Sequence, residues 1–246
     1  MKLALLVAYD GTAFHGFARQ PRARTVQGEL ERVLALILRA PVETVGAGRT
    51  DAGVHASGQV ISFGAPEATD PERVRARLNK LLGPEIALRA AAVVGEDFSA
   101  RFDARRRAYE YRCYRADHDD PFRDRFMLRI ADVKLAPMRA AAKALVGEHD
   151  FSAFCRKGQG SLVRRVRRVA IVTAGDELTF KLEADSFCHQ MVRSIVGLLL
   201  DIGRGKRAPG DVERALRARD RSAAGPVAPA RGLHLVRVEY QPDPFA

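Results

Sequence analysis

The spacing of apolar residues is the feature that most constrains how this 246-residue chain can fold. In the first half, strand patterns over 2–9, 59–63 and 85–94 alternate with helical patterns over 26–39 and 70–82. Thr25 and the pair Asp70-Pro71 are typical of helix starts, because a side-chain oxygen there accepts from free backbone N–H groups. This order predicts a mixed α+β unit in which helices pack on a small sheet.

The second half has a similar mixture of elements. Strand patterns cover 109–115, 168–173, 179–184 and 233–240, and helical patterns cover 137–146, 189–202 and 211–219. No low-complexity linker separates the halves, and no sequence repeat relates them. We therefore expect two α+β halves, residues 1–104 and 105–246, that share one continuous sheet.

Apolar residues make up 47% of the chain, which is typical of a globular protein. The longest apolar run, 195–200, is interrupted by Gly197 and is far shorter than the roughly 20 residues of a membrane helix. The apolar stretch at the N-terminus is too short for a secretory signal and lacks a cleavage site. The pattern predicts a protein that does not associate with membranes.

The three cysteines, Cys113, Cys155 and Cys188, are scattered and form no CxxC pair. Such sparse cysteines are typical of a reducing cytoplasm and do not indicate a zinc site. We expect each to be a small core residue, with neither a metal nor a disulfide role.

Positive charge is concentrated in the second half of the chain. Residues 1–104 carry 13 basic and 12 acidic side chains, whereas residues 105–246 carry 28 and 18, for a total net charge of +11. Guanidinium groups bind phosphate and stack on bases, so this asymmetry favours a nucleic-acid partner. A biased composition that only solvates the surface is the alternative. The dense clusters are Arg105, Arg106 and Arg107, and Arg164, Arg165, Arg167 and Arg168.

The glycine-rich segment 46–58 is the most unusual part of the sequence and begins GAGRTDAGVH. In an extended loop, Arg49 and Asp51 project to the same side, where the guanidinium favours the ionised carboxylate that a nucleophile requires. An ordinary structural salt bridge has the same spacing. The segment matches neither a dinucleotide-binding loop nor a P-loop, because the third glycine and the Gly-Lys-Ser/Thr sequence are missing.

Residues 47–60, AGRTDAGVHASGQV, resemble the signature of the tRNA pseudouridine synthase A family, TruA. The resemblance continues in order along essentially the whole chain, which makes it far more specific than one motif. The further blocks are YDGTAFHGFARQ (9–20), TVQGEL (25–30), DFSARFDARRRAYEYRCY (97–114), GEHDFSAF (147–154), FCHQMVRSIVGLLLDIG (187–203) and GLHLVRVEY (232–240).

This resemblance implies a cytoplasmic homodimer that isomerises uridine to pseudouridine at positions 38, 39 and 40 in the anticodon stem and loop of tRNA. The reaction is expected to need no cofactor and no metal. The implied fold has two ferredoxin-like, RRM-like halves that share a large, mostly antiparallel sheet flanked by helices and loops. The nucleotide must be flipped out of the stack, because the glycosidic bond is hidden there.

The resemblance also implies roles for single residues. Asp51 is the expected nucleophile, Arg193 its ion-pair partner and Arg49 the residue that helps to extrude the base. Tyr109 is expected to stack on the flipped uracil, which recovers roughly 1–3 kcal/mol. The two arginine clusters are expected to follow the RNA backbone. The other expected pocket residues are Phe187, Met191 and Val192.

Two other functions are compatible with parts of the sequence. A non-catalytic tRNA-binding protein or chaperone of the same fold would bind tRNA without forming product. A metal-dependent nuclease is disfavoured, because the sequence lacks a carboxylate cluster. His55 and His189 are expected to be structural or to contact phosphate rather than to transfer protons.

Overall fold

Two compact units make up the computed structural model, which describes residues 1–156 and 160–246. Unit 1 contains residues 1–105 and 235–246, and unit 2 contains residues 106–234. The sequence assigns 235–246 to the second half, but in the structure these residues belong to unit 1. They do so because Glu239 accepts from the Arg105 N–H at 2.8 Å and the Tyr240 hydroxyl donates to the Ala100 carbonyl at 2.7 Å.

Unit 1 has the strand order of a ferredoxin-like fold. Strand β1 lies between β3 and β4 and pairs antiparallel with both, while the short β2 pairs with the outer edge of β3. The order β4-β1-β3-β2 is the 4-1-3-2 arrangement, with a helix in each crossover. The elements are β1 Lys2–Tyr9, α1 Val26–Leu38, β2 Val45–Gly46, β3 His55–Gly64, α2 Pro71–Leu82 and β4 Ile86–Val94.

Local sequence explains where the helices of unit 1 begin. The Thr25 hydroxyl accepts from the Gly28 N–H at 3.2 Å at the start of α1, and the Asp70 carboxylate accepts from the Glu72 N–H at 2.9 Å at the start of α2. These bonds satisfy N–H groups that have no partner within the helix. Both predicted helix starts are confirmed.

Three strands of unit 2, β5, β9 and β8, are neighbours in the same order as β1, β3 and β2 of unit 1. Strand β9 lies between β5 and β8 and pairs antiparallel with both, β7 pairs antiparallel with β8, and β6 pairs parallel with β5. The elements are β5 Arg106–Arg115, β6 Leu128–Ile130, α3 Leu135–Ala142, β7 Gly147–Asp150, β8 Val163–Ala174, β9 Glu177–Ala184, α4 Met191–Gly203 and α5 Asp211–Ala218.

The last strand, β10 Leu233–Glu239, passes from unit 2 into unit 1, where it borders β3. Its approach requires a residue without a Cβ at Gly58, since a Cβ there would overlap the Val236 carbonyl. The predicted α+β class with mostly antiparallel strands is confirmed.

Helix α4 is the most buried helix of unit 2, and apart from Arg193 all its residues are buried. Its close packing depends on Gly197, where a Cβ would overlap the Pro226 carbonyl. The predicted helix over 189–202 begins two residues later, because Gln190 has a φ of 66°, in the left-handed region. A residue in the left-handed conformation cannot be part of a right-handed helix, so α4 begins at Met191.

The sulfur atoms of Cys155 and Cys188 are in disulfide contact, with Cα atoms 5.8 Å apart, while Cys113 is a buried thiol. The expectation of a separate core role is therefore confirmed for Cys113 and wrong for the other two. The pairing was not visible in the sequence, because the cysteines are 33 residues apart and only the fold brings their segments together.

Candidate active site

Asp51 lies in the irregular segment 47–54 between β2 and β3, so strands hold both ends of the loop. The Ala47 N–H donates to Val60 at 2.8 Å, and the Val54 N–H donates to the Asp51 carbonyl at 3.2 Å. The Asp51 side chain is half-buried, and that of Arg49 is exposed. The loop therefore presents a carboxylate and a guanidinium, two residues apart, from a backbone anchored at each end.

The opening loop of the chain supports this segment from one side. The Phe17 N–H donates to the Thr50 carbonyl at 3.0 Å. Gly16 has a φ of +96°, and a Cβ there would lie 2.9 Å from the Thr50 oxygen. A side chain at this position would strain the backbone and push against the residue next to Asp51.

His55 connects the opening loop to the start of β3. The ring is buried, its Nδ1 accepts from the Gly11 N–H at 3.1 Å, and the Asp10 carboxylate lies 3.2 Å from the same nitrogen. These contacts support the expectation of a structural role. His189 is exposed, and its carbonyl accepts from the Arg156 N–H at 2.9 Å.

Tyr109 and Phe187 are brought together in unit 2. Tyr109 lies on β5 opposite Leu182, and its ring meets Phe187 edge to face with centroids 5.1 Å apart. Tyr109 is only 8% exposed, whereas Phe187 is half-buried. This geometry orients the Tyr109 ring by aromatic packing.

The first turn of α4 contains Met191, Val192 and Arg193. Met191 and Val192 are buried. Burial does not test their expected role as pocket walls, which stays a prediction. Arg193 is half-buried, and its Nε donates to the Ala228 carbonyl at 2.8 Å. Burial raises the pKa of Tyr111, and the positive charge of Arg193 partly offsets this increase.

The two arginine clusters differ in their surroundings. Arg105 and Arg106 are exposed, whereas the half-buried Arg107 donates to the Asp185 carbonyl at 2.8 Å. In the second cluster, Arg164 donates to the carbonyls of Ser161 and Val163. The other three have acidic partners: Arg165 with Glu148, Arg167 with Asp185 and Arg168 with Glu183.

Three further residues around the loop, Tyr9, Thr50 and Gln59, were not predicted as functional. The Tyr9 and Thr50 hydroxyl oxygens are 2.8 Å apart, and the Gln59 amide donates to the Gly48 carbonyl at 2.9 Å. Tyr9 and Gln59 lie in strands that the sequence predicted, but periodicity does not say which polar residues meet. Their presence within the blocks YDGTAFHGFARQ and AGRTDAGVHASGQV was the only available signal.

Over residues 1–156 and 160–246, no group of three or more His, Cys, Asp or Glu side chains is placed to hold a metal ion. Within the same part of the chain, no helix has the length and apolar character needed to cross a membrane.

Comparison with known proteins relates the chain to one family. A family model described as tRNA pseudouridine synthase matches residues 5–103 and 141–241. The chain is 40% identical over 245 residues to tRNA pseudouridine synthase A of Bacillus licheniformis, covering 98% of this chain and 99% of that protein. The values for the protein of the same name from Bacillus subtilis are identical.

The relative from Geobacillus kaustophilus, also a tRNA pseudouridine synthase A, is 40% identical over 247 residues, with 98% of this chain and 95% of that protein covered. Among solved structures, a chain of a Cbf5-Nop10-Gar1 complex is 14% identical, with a TM-score of 0.34, over 80% of this chain and 45% of that chain. That structural likeness is too low to add to the sequence matches.

Proposed function

Since this chain belongs to the tRNA pseudouridine synthase family, we propose that it isomerises uridine at positions 38, 39 and 40 of tRNA with Asp51 as its nucleophile. In this reaction the N1–C1′ bond breaks and a C5–C1′ bond forms. The C5 proton is lost while N1 gains one, so substrate and product have the same composition. The chemistry therefore requires a nucleophile and a bound, reoriented base, with no group donor.

One observation carries this proposal: Asp51 is a half-buried carboxylate on a loop anchored by strands at both ends. Because the loop is already ordered, the carboxylate is held in position before the reaction begins. This lowers the entropic part of the activation barrier. Attack on the sugar carbon, attack on the base ring and proton removal from the sugar are all compatible with this geometry.

The other site residues have complementary roles in the proposal. Arg49 is exposed beside the nucleophile, where it can occupy the space left by an extruded base. Tyr109, oriented by Phe187, stacks on the flipped uracil. Arg193 pairs with Asp51, which offsets the cost of keeping a charged group in an apolar helix. Phe187, Met191 and Val192 form the wall of the base pocket.

Membership of the family supports a proposal for the partner and the location. We propose that the chain acts as a cytoplasmic homodimer on the anticodon arm of tRNA. The two arginine clusters contact the RNA backbone, and their exposed members are Arg105, Arg106, Arg165, Arg167 and Arg168. Recognition of the shape of an A-form stem fits these contacts better than reading of base edges.

The test uses purified protein and unmodified tRNA with uridine at the three positions, mapped for pseudouridine. Asp51→Asn keeps the size of the side chain and removes its charge, so we expect product formation to fall by at least about 10³-fold while tRNA binding is retained. Asp97→Asn, an exposed carboxylate in the same unit, is the matched control and should retain activity. Near-normal activity in Asp51→Asn would contradict the proposal, and binding without product in the wild type would support the chaperone alternative.

A further inference from the structure

We propose that Tyr9 is a positioning residue for the catalytic loop: its buried hydroxyl holds Thr50 and thereby sets the direction in which Asp51 presents its carboxylate. The inference rests on the proposed role of Asp51. It adds Tyr9, a residue of the first strand, which acts through Thr50 and not by contact with the substrate.

The hydroxyl groups of Tyr9 and Thr50 form a buried pair. Their oxygens are 2.8 Å apart, and the residues are 4% and 8% exposed. Gln59, which is fully buried, donates to the Gly48 carbonyl at 2.9 Å. Two buried side chains, Tyr9 and Gln59, therefore hold the loop at Thr50 and Gly48, on the N-terminal side of Asp51.

Thr50 is held from its backbone as well as from its side chain. Its carbonyl accepts from the Phe17 N–H at 3.0 Å, and Gly16 packs closely against that oxygen. Two constraints on one residue fix the orientation of its peptide unit, and the next residue in the chain is Asp51. The direction of the Asp51 Cα–Cβ bond depends directly on this peptide.

A phenylalanine at position 9 would fill nearly the same space without the cost of burying a hydroxyl. The hydroxyl is therefore informative, because its hydrogen bond to Thr50 is specific and depends on direction. Burial raises the pKa of Tyr9 to about 12, so the group stays protonated near neutral pH and is unsuited to transferring a proton in the reaction. Holding the loop is the role that remains for it.

The test compares Tyr9→Phe, Thr50→Val and Thr50→Ser in pseudouridine formation under single-turnover and steady-state conditions. Tyr9→Phe and Thr50→Val each remove one hydroxyl of the pair, and we expect kcat to fall about 10-fold while KM for tRNA changes less than about 2-fold. Thr50→Ser keeps the hydroxyl, and its kcat should stay within about 3-fold of the wild type.

Tyr240→Phe is the matched control. It also removes a tyrosine hydroxyl bonded within unit 1, in this case to the Ala100 carbonyl at 2.7 Å, but that bond does not involve the loop. We expect its kcat to be unchanged. If Tyr9→Phe does not fold, the pair Thr50→Val and Thr50→Ser tests the same bond from the other side.

The double variant Tyr9→Phe/Thr50→Val should be no slower than either single variant, because both changes break one interaction. An unchanged kcat in the single variants, multiplied losses in the double variant, or an equal loss in Tyr240→Phe would overturn the inference. Asp51→Asn is assayed in parallel. If it is active, the proposed function fails, whereas an inactive Asp51→Asn beside a fully active Tyr9→Phe removes the inference alone.

Discussion

Two glycines, Gly11 and Gly16, allow the close backbone contacts around Asp51. At Gly11 a Cβ would overlap the Val54 carbonyl, and at Gly16 it would press on the Thr50 oxygen in a backbone with φ of +96°. Gly11 and Gly16 lie 43 and 34 residues before their contacts Val54 and Thr50. The sequence shows that glycine is present, but the partner that excludes a larger residue becomes visible only in the folded chain.

The buried thiol of Cys113 provides a test of pH dependence at the residue scale. Burial raises its pKa from about 9 to about 12, so the folded protein holds the proton more tightly than the unfolded chain. The associated stability is complete below about pH 9 and is lost as the pH rises toward 12, at up to about 1.4 kcal/mol per pH unit.

We therefore expect the free energy of unfolding to fall between pH 9 and pH 10 in the wild type, and to fall less in Cys113→Ser, whose hydroxyl does not titrate there. Urea unfolding at these two pH values measures the difference. The interval from pH 9 to pH 10 lies below the pKa of about 10 of an unfolded tyrosine. Titration of Tyr9 therefore adds little to the change in the free energy of unfolding over this interval. Equal slopes in the two proteins would show that Cys113 is not protected as the structure indicates.

At the scale of elements, segments with a full apolar face were predicted well and the shortest strands were missed. The long strands β3 and β8 were predicted at only about half their length. β1, α1 and α2 appear within one residue of their predicted ends, because each has a full apolar face and a turn or capping residue beside it. The strands β2, β6 and β7 have two, three and four residues, too few to show a period. They form because a neighbouring strand offers free backbone groups.

The capping of α2 gives a test at this scale. The Asp70 carboxylate accepts from the Glu72 and Arg73 N–H groups at 2.9 and 3.4 Å. Asp70→Ala removes these bonds, and we expect unfolding in urea to show a loss of about 1 kcal/mol. Asp70→Asn keeps an accepting oxygen and should lose only a fraction of that. If the two variants have the same stability, the cap contributes nothing measurable.

For the whole molecule, the net charge of +11 overstates the positive charge that is available to bind RNA phosphates. Arg165, Arg167 and Arg168 each have an acidic partner, so phosphate must compete with a carboxylate for them. Arg105 and Arg106 are exposed, and so are Arg165, Arg167 and Arg168. The sequence does not show the ion pairs of Arg165, Arg167 and Arg168, because their partner acids lie 15 to 18 residues away in the chain.

We expect the double substitution of Arg105 and Arg106 by Ala to weaken tRNA binding and to reduce the slope of log affinity against log salt by about 1 to 2. The control is Arg32→Ala, an exposed helix arginine paired with Glu29 at 2.8 Å, which should leave the slope unchanged. Binding measured from low to moderate salt decides between them. An unchanged slope in the double variant would remove these two residues from the RNA surface.

The sequence by itself determined the family, the α+β class, the approximate positions of the long helices and strands, and the loop containing Arg49 and Asp51. These depend on local chemistry: apolar periodicity, capping side chains, and motifs whose residues are adjacent in the chain. Only the tertiary structure decided that Tyr9, Thr50 and Gln59 support that loop, that Cys155 meets Cys188, and that residues 235–246 join unit 1. Each of these is a contact between distant segments, and its partner is chosen by packing and hydrogen bonding across the fold rather than by neighbouring residues.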